Sequence, residues 1–444
     1  MRVNTRYGSG RITEIRSNNN IIVELDNRGL RIRQTYAEIV PQDTEALPKA
    51  AEPRDERRSD TRVTIPFTLK RKVETSQYLN LKALEALRFG LVPQTKLEEM
   101  TIKFDDLQSW INECLPHINQ GNPCVSEVCG PYGTGKSHIM SIVRYIAQRE
   151  NYVTARVEID GKGISLGDPE NLLLNLWSSL RAEGLQSATP LLDLYVRAIN
   201  NGKAAPKIAP KGVDRIAVNY EIIKDLKQNG RLETFEYMLD AILSSSNEYT
   251  ATEVNQKVQS SLSNRYQFVR RMIGRTVEER PYDFIESLVG HAKICELAGY
   301  RGLILTIDEF EVQHFDTYRD RVIKLSEVMT NYFANKTSYP AVPCAVFFAT
   351  VGELGHRGDA LVDAMIEICG GNYRKLEELE ESDLIEIAKK IHYLYKKTYG
   401  ISDNFNTIFA ESAYKAVMNV KGLVRAFIKQ YVSMLDEKYG PPKI

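Results

Sequence analysis

The sequence predicts an α/β protein: a parallel sheet with crossover helices, a helical insertion, a C-terminal helical lid and a small β module in front. Three observations carry that expectation. From about residue 77 onward, short apolar β-prone runs alternate with amphipathic helical patterns, the signature of strands joined by crossover helices. One of those runs passes into its helix through a glycine-rich loop, Gly130 to Ser137. A later run, Gly302 to Ile307, ends in two adjacent carboxylates.

The first 42 residues read as a separate module. Arg11 to Arg16, Asn20 to Asp26 and Leu30 to Gln34 each look like a strand, with Asp26-Asn27-Arg28-Gly29 as a turn between two of them. Three or four strands of this length predict an SH3-like or Tudor-like barrel. Seven arginines stand against four carboxylates there, a surplus of three. That surplus fits a surface for a nucleic-acid backbone or a protein partner, and equally a solvated face with local ion pairs. From Pro41 to Thr61 the chain is rich in charge, Pro and Ala with little to bury, so residues 43–75 read as a flexible linker.

Residues 76–184 are expected to form the first part of a nucleotide-binding core. Gln77 to Arg88 has a helical pattern that stops at Gly90, with Pro93 beyond. Phe104 to Ile118 is a second amphipathic helix. Leu91-Val92-Pro93, just ahead of the first core strand, fits either a cover for an adenine base or ordinary packing.

The motif Gly130-Pro131-Tyr132-Gly133-Thr134-Gly135-Lys136-Ser137 satisfies G-x-x-x-x-G-K-[ST]. Its glycines let successive N–H groups converge on phosphate oxygens. Lys136 places a point charge near the β- and γ-phosphates, and Ser137 offers a hydroxyl to magnesium. The flanks fit as well. Val125 to Cys129 reads as a strand, and the helix that follows, beginning with Ser137 and His138, would lend its partial positive N-terminus to the same anion.

Tyr152 to Ile159 is a further strand, and Asp168-Pro169 opens a helix as N-cap and first helical residue. Residues 185–280 read as an inserted helical subdomain. Its basic cluster Arg265, Arg270, Arg271 and Arg275 fits DNA phosphates or a solvated helix face. Residues 281–380 resume the core. Asp308 stands where an apolar strand ends and is placed to hold magnesium, and Glu309 to orient or deprotonate an attacking water. Open parallel sheets gather ligands at their strand C-termini, so this pair and the glycine-rich loop are expected to meet. Pro343 to Thr350 is another buried strand. Thr350 at its end fits a residue that senses or positions the water, or a threonine satisfying its own turn.

Residues 381–444 form the expected lid, with Arg425 near the start of its last helix, able to reach a γ-phosphate when the lid closes. Arg357 and Arg374 are candidates for a charge lent to a neighbouring subunit. Net charge is zero, so no global field draws the molecule to nucleic acid or membrane. The six cysteines form no C-x-x-C pair and the six histidines are isolated, which argues for buried free thiols and against a metal cluster other than magnesium. No 18-residue apolar run exists, and a cytoplasmic protein is expected.

Taken together, ALEALRFGLVP, GPYGTGKSHIM, GYRGLILTIDEFE, the Thr-ended strand and the Gly-x-x-Arg lid resemble the BREX-system ATP-binding proteins of the BrxD type. These are AAA+-related P-loop ATPases of prokaryotic antiphage defence clusters. The resemblance runs over residues 77 to 439. It implies an AAA+-like fold, ATP at Gly130 to Ser137, and the magnesium and catalytic carboxylates at Asp308 and Glu309. The expected function is Mg-ATP hydrolysis that drives assembly or DNA engagement of a defence complex. A nucleotide-gated adaptor with little hydrolysis and a loader for a helicase or transposition factor are the alternatives. Expected partners are other defence proteins, such as a nuclease or helicase effector, a second copy in an ATP-dependent homo-oligomer, and DNA.

Overall fold

In a computed structural model the described residues are 2–5, 8–15, 20–25, 31–35, 40–41, 76–160, 164–185, 190–209, 214–230, 232, 279–311, 319–352, 359–420 and 422–439. They divide into two compact units, Met1–Arg71 and Lys72–Ile444.

The first unit holds strands β1 (Arg2–Thr5), β2 (Gly8–Ile15), β3 (Asn20–Leu25), β4 (Arg31–Thr35) and β5 (Val40–Pro41). All pairings are antiparallel, in the order β4-β3-β2-β1-β5. The register slips between Ile12 and Glu14, a bulge that explains the imperfect alternation of apolar residues in β2. Strands β1 and β5 are too short and polar to stand out in sequence. The linker at 43–75 lies outside the described residues.

The second unit is built on a five-stranded parallel sheet of β6 (Cys124–Cys129), β7 (Val153–Glu158), β8 (Leu303–Asp308), β9 (Cys344–Thr350) and β10 (Asn372–Lys375). Its order is β10-β6-β9-β8-β7. Strands β8 and β9 are nearly continuous apolar runs because helices cover both their faces. On one face lie α3 (Phe104–Asn119) and α4 (Lys136–Arg149), which follow the short helices α1 (Ser76–Arg88) and α2 (Leu97–Met100) in the chain. There Trp110, Ile111, Ile142 and Val143 pack on Val128, Ile304, Phe347 and Ala349.

The opposite face is covered by α5 (Pro169–Ser178), α6 (Pro190–Asn200), α7 (Arg215–Gln228), α8 (Arg280–Leu297), α9 (Arg319–Phe333) and α10 (Ala360–Cys369). Helix α5 starts as expected, with the Asp168 carboxylate accepting from Asn171 N–H. It stops at Ser178, and beyond it the backbone of Arg181 bridges Thr154 at the sheet's edge. Within 185–280, the described helices α6 and α7 share the main core: Leu194, Tyr195, Ile216 and Tyr220 pack with Trp177 and Phe284. Residues 233–278, with all four arginines of the basic cluster, lie outside the described residues.

A third core joins α11 (Glu381–Tyr399), α12 (Thr407–Val417) and α13 (Leu423–Tyr439). Helix α1 belongs to it: Ala83, Leu84 and Leu87 pack with Leu384, Ile391, Phe427 and Tyr431. The six cysteines are free, and among the described residues no cluster of His, Cys, Asp and Glu is arranged to hold a metal. Among those residues, too, no helix is long and apolar enough to cross a membrane.

Candidate nucleotide-binding site

The loop between β6 and α4 has the geometry its glycines require. Gly133 and Gly135 adopt φ of 85° and 97°, a region that side-chain-bearing residues rarely enter, and Gly135 is the residue from which α4 starts. The Thr134 hydroxyl donates to Pro131 O at 2.8 Å and pins the turn. Lys136 is buried and folded back, its Nζ donating to Gly130 O at 2.9 Å and to Pro131 O at 3.1 Å. The Tyr132 ring lies 5.2 Å from the same Nζ. The lysine is thus curled over its own loop, its charge held by two carbonyls.

Strand β8 delivers the carboxylates to this place. Asp308 lies on the α4 face of the sheet, as does Thr306, whose hydroxyl accepts from Arg144 of α4 at 3.0 Å. Immediately afterwards Glu309 takes φ 55°, one of five non-glycine residues among those described with positive φ. Its N–H donates to Asp308 Oδ1 at 3.0 Å. A left-handed glutamate costs free energy, and such outliers concentrate where geometry serves a function.

Both elements lie at the C-terminal end of the same parallel sheet, on strands that flank β9. Burial lowers the Lys136 pKa, and Glu311, Asp308 and Glu309, in that order, oppose the shift. Desolvation raises Glu309, assisted by the negative charges of Glu158, Asp308 and Glu311 and opposed by Lys136. A carboxylate held above its ordinary range is a stronger base nearer neutral pH. The loop and the acidic strand, more than 160 residues apart in sequence, thus share one electrostatic site.

A family model described as BREX system ATP-binding protein BrxC/D matches residues 77–338, more than half of the chain. The chain belongs to the BrxC/D family. Among curated proteins none matches the sequence. The match in this BrxC/D chain takes in the glycine-rich loop, Asp308 and Glu309, and ends before β9 and the lid. ATP binding follows from membership.

The other candidate residues stand as follows. Ser137 is exposed at the start of α4. The His138 ring points elsewhere, its Nε2 2.8 Å from Thr101 Oγ1, and burial pushes its pKa down to about 4. Thr350 is fully buried; its hydroxyl donates to Glu127 Oε1 at 2.5 Å, and its carbonyl accepts from Gly130 N–H at 3.3 Å. The exposed Arg425 lays its stem on Gly90, whose turn leads into Leu91. Leu91 is exposed, Val92 packs partly into the α3–α4 core and Pro93 is buried. Arg374 is committed within its own chain, paired with Asp106 at 2.6 Å and stacked 5.6 Å from the Trp110 ring. Arg357 lies outside the described residues.

Sequence reading missed Glu311, Glu158 and Glu127. Burial raises the Glu311 pKa, while Lys136 and a hydrogen bond from Tyr132 oppose the rise. It sits two positions past Glu309 and is the strongest favourable charge on Lys136. Its place in IDEFE was the available signal. Glu127, alone in an apolar strand, offered one too: a charged residue where none belongs.

Proposed function

We propose that this BrxC/D-family chain is an AAA+-type ATPase that hydrolyses Mg-ATP and uses nucleotide state to control assembly of a BREX defence complex. The observation that carries the reading is that the loop after β6 and the carboxylates that end β8 lie at the same, C-terminal end of one parallel sheet, either side of β9. The strand order supports the AAA+ assignment, because β9 lies between the loop strand and the acidic strand. Five short antiparallel strands in the first unit support an SH3- or Tudor-like module.

Ser137 and Asp308 offer the hard oxygen donors that magnesium prefers, on the same face of the sheet. When bound there, the ion would neutralise charge on the β- and γ-phosphoryl oxygens. Lys136 leaves its loop carbonyls for those oxygens. Glu309 takes the proton of a water aligned for in-line attack on the γ-phosphorus, and Arg425 adds charge as the lid closes. Because Glu309 must be ionised to act, turnover falls as pH drops through its raised pKa. Asp308 with Glu309 favours hydrolysis over a purely nucleotide-gated scaffold.

The test is steady-state ATP turnover and ATP binding in Lys136→Ala and Glu309→Gln. Lys136→Ala is expected to lose both, and Glu309→Gln to bind ATP while turnover falls by about a hundredfold or more. Undiminished turnover in both variants would reject the assignment. Scattering with ATP, effector and duplex DNA added in turn reads the assembly role.

A further inference from the structure

We infer that Glu127 is a positioning residue that holds the Thr350 hydroxyl at the mouth of the phosphate loop and fixes which way that hydroxyl can bond. The inference rests on the hydrolytic reading above and adds a residue to it. Glu127 lies in β6, three positions before Gly130, and has no solvent exposure. A carboxylate in the middle of a buried strand is costly, and among the described residues no opposite charge is recorded as repaying it. Its partners are hydrogen-bond donors. The Thr350 hydroxyl donates to Oε1 at 2.5 Å, and the backbone N–H of Asp359, the N-cap of α10, donates to the same oxygen at 3.2 Å. The other oxygen, Oε2, is buried, and the Asp363 carboxyl of α10 lies within hydrogen-bonding reach of the same group, a contact that favours its protonated form.

Thr350 is therefore pinned at two points. Its side chain is held by Glu127, and its carbonyl takes the N–H of Gly130, the first residue of the loop. A hydroxyl has one proton and two lone pairs. Once that proton is given to Glu127, Thr350 can accept a hydrogen bond from a water but cannot donate one to a phosphate oxygen. Glu127 thus makes Thr350 a residue that orients water rather than one that grips the γ-phosphate.

The hold depends on the carboxyl being ionised. Burial raises the Glu127 pKa to about 7, with Asp363 adding to the rise and the Thr350 and Asp359 hydrogen bonds opposing it. The groups facing it are Asp359 and Asp363 from α10, Thr350 from β9, Tyr373 from β10 and Cys129 of its own strand. Protonation would turn a carboxylate acceptor into a weaker neutral one and loosen Thr350.

The full-length chain is assayed for Mg-ATP turnover between pH 6 and 8.5 as wild type, Glu127→Gln, Thr350→Val and the double variant, with circular dichroism to check folding. Glu127→Gln is expected to lower kcat about tenfold to a hundredfold with little change in KM. It should also flatten the rise in kcat near pH 7, and the double variant should be no worse than Thr350→Val alone. Wild-type kcat and pH profile in Glu127→Gln, or losses that add fully in the double variant, would overturn the inference while leaving the ATPase reading intact. If the wild type itself shows no turnover, the ATPase reading fails, and hydrogen exchange decides the remaining point. Faster exchange at the Gly130 amide in Glu127→Gln and in Thr350→Val supports the hold, and unchanged exchange in both refutes it. Should Glu127→Gln not fold, Thr350→Val tests the same contact from its other side by both measurements.

Discussion

Glu309 leaves its strand at φ 55° with Glu158, Asp308 and Glu311 all raising its pKa, so backbone and charge disfavour a glutamate there in the absence of ligand. Backbone strain of this kind concentrates at functional sites, which is the role proposed for Glu309. Replacing it by asparagine, which enters the left-handed region with less strain, is expected to stabilise the unliganded protein by about 1 kcal/mol while abolishing turnover. Denaturant unfolding measures this. Glu309→Gln serves as the control, because it removes the charge but keeps the strained backbone and should gain less. A destabilised asparagine variant would show that the neighbours of Glu309 have no such cost to relieve. At this scale the sequence was legible as spacing: it set the loop of Lys136 and Ser137 after one strand and Asp308 and Glu309 at the end of another, and the structure puts those two strand ends on one parallel sheet. It was silent on direction. Nothing in GKSH says that the His138 ring turns to Thr101, and nothing in PCAVFFAT says that Thr350 bonds to a glutamate more than 200 residues away.

At the scale of elements, periodicity located most of the helices and strands because each buries one face or both. What it could not supply was the partner of each face. Helix α1 reads as amphipathic, yet its apolar stripe packs with α11 and α13. Arg88 ties it there: its Nε and Nη2 reach both carboxylate oxygens of Asp436 at 2.8 Å, and Tyr399 accepts from Nη2 at 3.0 Å. Tyr395 donates to the same aspartate at 3.0 Å. Arg88 and Asp436 are 20% and 23% exposed, so the pair is largely shielded and its loss strands a carboxylate. Arg88→Ala is expected to cost about 2 to 3 kcal/mol in chemical denaturation. Arg88→Lys should recover only part, since an ammonium cannot bridge both oxygens. A loss no larger than that of an exposed ion pair, under about 1 kcal/mol, would show that α1 is held by its apolar stripe alone. The lid meets the loop through glycines. A methyl group on Gly133 would come within 2.6 Å of Gly422 Cα, one residue before α13 begins. That contact was beyond sequence reading, because neither glycine carries a side chain to pattern.

For the molecule as a whole, the neutral total charge conceals an uneven distribution, and the division into Met1–Arg71 and Lys72–Ile444 gives that distribution a test. The second unit contains every residue assigned to nucleotide: the loop, Asp308, Glu309, Thr350 and Arg425. The first contains the arginine surplus of residues 1–42. ATP affinity is therefore expected to survive removal of residues 1–71. If the arginines of the β module contact DNA phosphates, the same truncation removes a duplex affinity that falls steeply with salt, since each neutralised phosphate releases bound counterions. Titration of labelled duplex at several salt concentrations, with and without ATP, separates the two properties. Salt-sensitive DNA binding that persists in the 72–444 chain would move the contact into the second unit, where Arg265, Arg270, Arg271 and Arg275 form the basic cluster to mutate next. Loss of ATP affinity on truncation would mean that the two units do not work independently, and the nucleotide site would then need residues from both.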